Sequence, residues 1–263
     1  MISMSKVDVS FNLGSPLENH VLKGIDLTIP KHQFITVIGS NGAGKSTLLN
    51  ALSGEVAVQT GQIHLDDQDI TKLPVHKRAR WIARVFQDPL TGTCEDLTIE
   101  ENLALAHART SRRGLKRAAR REFKQSFINK LKSLELGLEY RLEDKIGLLS
   151  GGQRQAVSLL MAALQPSKLL LLDEHTAALD PKTAKFILNL SEEIIRSEKL
   201  TALMVTHSMN QALSVGDRTL MLHQGQVVLD VSGKQREGMN SQDLLDQFHK
   251  NHDALDDDKL VLS

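Results

Sequence analysis

One cysteine, Cys94, stands in a chain of 263 residues. No intrachain disulfide can form and no multi-cysteine metal site is available, so the expected setting is reducing and cytosolic. Aromatic residues make up only 3% of the chain, which leaves core packing to Leu, Ile, Val and Ala. Neither sign of charge is in excess: 32 basic and 32 acidic side chains give a formal net charge of zero. The field of the whole molecule therefore offers no argument for nucleic acid or an anionic membrane as partner. No window approaches the roughly 20 apolar residues that span a bilayer, and the opening "MISMSKVDVSF" lacks the basic and apolar segments of a secretory leader. If membranes matter to this chain, a partner must cross them. What is present is ordinary for a globular protein, 41% apolar and 24% charged, and excludes disorder for most of the chain. The length fits one large domain with an insertion, or two small ones.

Residues 5 to 29 carry apolar runs around the turn-like "NLGSPLEN", a small antiparallel β region. "QFITVIG" is a short apolar strand ending at Gly39, and "KSTLLNALSG" a helix closed by Gly54. "GQIHLDDQDIT" reads as a hairpin and "WIARVFQ" as a strand ending at Gln87. From there to Leu149 the pattern is helical: one helix follows a Thr98 cap, and a second runs from Gly114 to Leu136 before Gly137. This predicts an inserted helical subdomain. Ser150 and Gln153 form an S-x-x-Q capping box, so a further helix starts there. "KLLLLDE", Lys168 to Glu174, is the continuous apolar run of a strand buried on both faces. Asp180 and Pro181 supply an N-cap and first helical residue, and "TALMVTH" and "TLMLHQGQVVL" are further strands. Such alternation implies an α/β fold with a parallel sheet.

Between its strand and its helix, "GSNGAGKST" matches G-x-x-x-x-G-K-[ST]. Average residue usage would produce that match by chance in roughly one chain of this length in a hundred. Gly39, Ser40, Asn41, Gly42, Ala43, Gly44, Lys45, Ser46 and Thr47 form a phosphate cradle in which N–H groups from Asn41 to Lys45 face the β-phosphate. Lys45 reaches the β- and γ-oxygens, and Ser46 ligates Mg²⁺. Asp173, at the tip of the buried strand, is placed to hold Mg²⁺ through water. Glu174 follows directly, and a second carboxylate there has a task in orienting or deprotonating the attacking water. His207 lies at the same carboxyl edge, where ligands of open α/β sheets collect, and is expected to bond the γ-phosphate or that water. The glycines at 151 and 152 each cost about 1 kcal/mol in a helix. Bare N–H groups at a helix start bind anions, and glycines let a phosphate approach closely.

The order "GSNGAGKS", Gln87, "LSGGQ", "LLLLDE", "ALD" and His207 resembles the nucleotide-binding subunit of an ATP-binding cassette (ABC) transporter over about residues 4 to 232. The resemblance implies a P-loop NTPase (RecA-like) core with a parallel sheet, an N-terminal antiparallel β region and an inserted α-helical subdomain. It implies a nucleotide-binding domain over 1–236, with the subdomain at about 90–165; after it, residues 237–263 read from their own pattern as a C-terminal helix, "SQDLLDQFHK", and an acidic tail. It also implies head-to-tail pairing of two copies, in which Ser150, Gly151, Gly152 and Gln153 of one contact the ATP held by the other. Phe11 would stack on adenine, or alternatively join the core. Gln87 would sense Mg²⁺ and the attacking water while joining the subdomain to the core, and Asp180 would bridge the two active sites. The family's usual Asp-Glu-Pro-Thr reads Asp173-Glu174-His175-Thr176 here. Loss of the proline frees φ, and His175 is expected to pack or meet an interface rather than react.

Function is then ATP hydrolysis driving a separate multi-span permease from the cytoplasmic face of the membrane. The single cassette, "RVFQDPLTGT" and "DEHTAALDPKT" look similar to importers served by a substrate-binding protein, for aromatic or branched-chain amino acids. A lipid or lipopolysaccharide exporter and a soluble iron–sulfur assembly or DNA repair ATPase are alternatives carrying the same motifs. The basic run "RTSRRGLKRAARREFK", Arg109 to Lys124, reads first as a solvated helix face. It reads second as a surface toward lipid headgroups or permease loops. Without interleaved aromatics it lacks the stacking platform for single strands, and no nucleic acid partner is expected.

Overall fold

The computed structural model describes residues 1–110 and 121–248. The stretch 111–120 of the basic run and the acidic tail from 249 onward lie outside the described residues. Two compact units are present: residues 1–78 with those from 201 onward, and residues 79–200.

The first unit opens with β1 (Ile2–Phe11) and β2 (Asn19–Ile29), an antiparallel pair in which Ile2 faces Ile29 and Phe11 faces Asn19. β3 (Phe34–Gly39) follows, buried almost throughout, and leads through the Gly-rich loop into α1 (Lys45–Ser53). Gly54, at φ 85°, ends that helix as the sequence predicts. β4 (Thr60–Leu65) and β5 (Gln68–Asp69) form the expected hairpin and extend the first sheet in the order β2-β1-β4-β5. The short α2 (Val75–Arg78) closes this half of the unit.

Within the second unit, β6 (Ile82–Val85) runs parallel to a later strand and α3 (Ile99–His107) starts on a complete Thr98–Glu101 capping box. α4 (Arg121–Lys132) brings Phe123 against His107 in a tilted contact and Phe127 edge-on to it. α5 (Gly151–Ala163) begins at the Ser150–Gln153 box, in which both reciprocal hydrogen bonds form. β7 (Leu169–Asp173) is the buried apolar strand, and α6 (Pro181–Ser197) begins on the Asp180 cap with Ala184, Ile187, Leu188 and Ile195 buried.

The chain then returns to the first unit. β8 (Ala202–Val205) pairs parallel with β3, α7 (Met209–Ser214) follows, and β9 (Arg218–His223) pairs parallel with the other edge of β3. β10 (Gln226–Ser232) turns back antiparallel on β9. Residues 241–248 are helical, and Leu244 enters a core cluster with Ile38, Ala212, Met221, Leu229 and Val231. This helix is thereby part of the first unit's packing. The fold is the expected α/β P-loop NTPase arrangement, with a central parallel sheet, an N-terminal antiparallel sheet and a helical insertion.

Candidate functional site

The first unit holds the phosphate loop. Gly39 has φ 150°, and a Cβ there would lie 2.2 Å from the carbonyl oxygen of Leu222 on the neighbouring β9. Gly44, at φ 100°, would meet Leu22 at 2.9 Å. Both positions need glycine for reasons of backbone shape, and the loop is drawn tight against the sheet. Gly225 donates to the carbonyl of Ala43 at 3.1 Å, pinning the loop's far side. Lys45 is 5% exposed and its ammonium donates to the carbonyls of Gly39 and Ser40, at 2.9 and 3.0 Å. The cation is therefore held inside the loop's curve, where phosphate oxygens are better acceptors than neutral carbonyls. Asn41, Gly42 and Ser46 are exposed, Thr47 is half-buried and Ala43 is buried. His207 is exposed two residues beyond β8. Phe11, 39% exposed at the end of β1, stands outside the buried core.

The second unit holds the carboxylates. Asp173 ends β7, and Arg84 of β6 donates to its Oδ2 at 2.5 Å. Glu174 comes next with φ 47°, a left-handed conformation unusual for a residue with a side chain and typical of sites where surrounding structure holds strain. His175 is 2% exposed, and its Nε2 lies 2.8 Å from Ser191 Oγ on α6. Ser191 spends its one proton on the carbonyl of Ile187, so the histidine must donate and is the neutral Nε2–H form. Burial pushes its pKa down to about 4. The expected packing role of His175 is what this environment provides.

At the start of α5, Ser150 and Gly151 are exposed. The two glycines separate. A Cβ on Gly151 would touch only Leu179, at an ordinary 3.5 Å, whereas on Gly152 it would lie 2.3 Å from Thr183 Cγ2 of α6. Gly152 is required by helix packing. Gly151 is exposed, and packing does not require it to lack a side chain. Gln153 is committed to the cap, its Oε1 accepting from Ser150 N at 3.2 Å. Asp180 caps α6, and hydrogen bonds from Thr183 hold its carboxyl below the usual range. Gln87 is exposed just past β6.

Several residues that belong to no motif support these positions. Asn102, fully buried, accepts from Cys94 N and donates to the carbonyls of Cys94 and Thr98, bracing the segment after Gln87. Gln155 donates to the carbonyl of Phe86 at 3.3 Å, tying α5 to the residue before Gln87. Arg78, 1% exposed, donates to four carbonyls, those of Ala51 and Leu52 at the end of α1 among them. A lone arginine in the apolar string "WIARVF" was the available signal for Arg84. At the described ends of the basic run, Arg109 donates to Gln165 O, and Lys124 pairs with Glu100 and Glu143 at 3.2 and 3.5 Å.

The donor set fits Mg²⁺. Among the described residues no cluster of three His, Cys, Asp or Glu side chains forms a metal cage. The Ser46 hydroxyl in the first unit and the Asp173 carboxylate in the second are each hard oxygen donors of the kind Mg²⁺ takes beside phosphate oxygens and water. A glycine-shaped phosphate loop closed by a buried lysine, with an Asp-Glu pair at a strand tip, defines a P-loop nucleoside triphosphatase.

Known proteins narrow that class. A model of the family "ABC transporter" matches residues 22–177. A tyrosine transport ATP-binding protein of Clostridioides difficile is 43% identical over 94% of this chain and 98% of its own length. A probable branched-chain amino acid transport ATP-binding protein of Archaeoglobus fulgidus is 32% identical over 81% of this chain and 86% of its own. An ATP-binding cassette solved as a dimer in a post-hydrolysis state, bound to ADP and phosphate, superposes with a TM-score of 0.76 at 28% identity, covering 88% of this chain and 98% of that one. The chain belongs to the ABC transporter family: it is an ATP-hydrolysing cassette subunit. Cassettes of this family bind ATP with Mg²⁺, dimerise and work with a membrane permease.

Proposed function

We propose that two copies of this chain, paired head to tail, hydrolyse ATP at the cytoplasmic face of the membrane to drive uptake of an aromatic amino acid of the tyrosine class. Transport passes through a separate multi-span permease supplied by a substrate-binding protein. The observation that carries the substrate class is the near end-to-end match, at 43% identity, to a tyrosine transport ATP-binding protein. Among the described residues no helix is long and apolar enough to cross a membrane, which fits a permease on separate chains.

In this reading Phe11 stacks on the base and the loop 39–47 wraps the phosphates. Lys45 exchanges its bonds to Gly39 and Ser40 for the β- and γ-oxygens. Ser46, Asp173 and Gln87 would hold Mg²⁺, which when bound would supply charge neutralisation on the phosphates. Glu174 accepts the proton of the attacking water, and its left-handed backbone fixes where that carboxylate starts. His207 steadies the γ-phosphate. Ser150 and Gly151 of the second copy close the site from the other side, and Asp180 lies between the two centres. Catalysis is positioning and electrostatics, and the pairing makes hydrolysis depend on closure.

The test is reconstitution. The chain, its co-purifying permease and the cognate binding protein are placed in vesicles, and ATPase activity is followed as amino acids are added. Stimulation by tyrosine or a close aromatic analogue, with matching uptake, supports the proposal. Stimulation only by a solute of another class would refute the substrate, and failure to associate with any permease would refute the transport role.

A further inference from the structure

Arg84 is the one charged side chain in β6, flanked by Ile82, Ala83 and Val85. It sits opposite Leu171 of β7 in the parallel register, so its guanidinium reaches forward to Asp173 at the strand tip. Both side chains are nearly buried, at 10% and 13% exposure, and the contact is a charge-assisted bond at 2.5 Å. The guanidinium also stacks on the ring of Phe86, its Cζ 4.8 Å from the centroid. Phe86 is itself fixed from behind, since its carbonyl accepts from Gln155, a side chain 1% exposed on α5. A guanidinium is planar and always charged, and it holds a carboxylate in one orientation in a way an ammonium does not. Placing it in an apolar strand carries a desolvation penalty that an aliphatic side chain would avoid.

We propose that Arg84 is a positioning residue for the metal-bearing carboxylate: by holding Oδ2 of Asp173, it leaves Oδ1 as the oxygen directed to Mg²⁺. The inference rests on the reading of Asp173 as a Mg²⁺ residue. Groups that orient a metal's carboxylate without touching the metal typically contribute 10- to 100-fold to its affinity. Phe86 sets the guanidinium plane, and through it the backbone just before Gln87 is joined to the same carboxylate.

Mg²⁺ binding can be read without turnover. In the Glu174→Gln background, the affinity for a fluorescent ATP analogue is measured in MgCl₂ and in EDTA, and the ratio of the two reports the metal's share. Arg84→Met should leave the affinity in EDTA unchanged and reduce the ratio by about tenfold or more. Arg84→Lys, which keeps the charge and lets the strand fold, should fall between. Far-UV circular dichroism and the urea midpoint confirm that each variant is folded. Equal weakening in MgCl₂ and EDTA, an unchanged ratio, or a ratio that rises would each overturn the proposal. Asp173→Asn is the control. If it leaves the ratio intact, the reading of Asp173 fails; if it lowers the ratio and Arg84→Met does not, only the role of Arg84 fails.

Discussion

The two glycines at the start of α5 should behave oppositely when given a methyl group. In Gly152→Ala the new Cβ would lie 2.3 Å from Thr183 Cγ2, more than an ångström inside contact distance, and Thr183 is β-branched and held in a helix. Overpacking of this kind costs about 1–3 kcal/mol, against up to about 1 kcal/mol gained in helix propensity, so a net loss of about 1–2 kcal/mol is expected. The offending atom can be removed. With Thr183→Ser the nearest remaining atoms are Cβ at 3.7 Å and Oγ at 3.9 Å, ordinary contacts, and the double variant should recover the loss with a coupling of about 1 kcal/mol or more. Gly151→Ala meets only Leu179 at 3.5 Å. It should therefore be as stable as the natural chain or more stable by up to about 1 kcal/mol, yet lose ATPase activity, because its methyl group occupies the space meant for the other copy's triphosphate. Urea unfolding curves and steady-state ATPase rates on the natural chain and on Gly152→Ala, Thr183→Ser, their double variant and Gly151→Ala decide the matter. Equal destabilisation at both positions, or full turnover by Gly151→Ala, would refute the division of labour.

His175 gives the fold a pH dependence. Its imidazole titrates near 6.5 when unfolded and near 4 when buried, so between those values the unfolded chain binds the additional proton. The stabilisation is complete above pH 6.5 and is lost as pH falls toward 4, by at most roughly 3 kcal/mol. Urea midpoints at pH 7 and pH 5 should diverge in the natural chain and converge in His175→Gln. Arg78→Met should destabilise the first unit by about 2–4 kcal/mol, since four carbonyls lose a charged donor. If calorimetry shows no change in unfolding, those bonds contribute nothing net.

Much of the site was legible because its signals are local. The Ser150–Gln153 box, the Asp180–Pro181 start and the phosphate loop each place their hydrogen-bonding atoms within a few residues, where spacing alone determines geometry. What escaped depends on partners far along the chain. Arg84 meets Asp173 across 89 residues, and no periodicity links them. Gly152 drew attention as a helix breaker, but its packing reason is Thr183, on another helix. Leu244, in a segment that reads as an appendage, is fully buried in a cluster that includes Ile38 of β3, a strand that begins about two hundred residues earlier. The basic run reads as one solvated face, yet its described ends are taken up by Gln165, Glu100 and Glu143. Composition shows charge, and only the fold shows where its partners are.

Completion of each ATP site by a second copy is tested most directly by molar mass. Light scattering on the Glu174→Gln chain with MgATP should give twice the 29.1 kDa of one chain, and adding Gly151→Asp should return it to a single copy that still binds the fluorescent nucleotide through its own phosphate loop. A Gly151→Asp chain that pairs as before, or a natural chain that hydrolyses ATP at full rate while remaining single, would contradict the account.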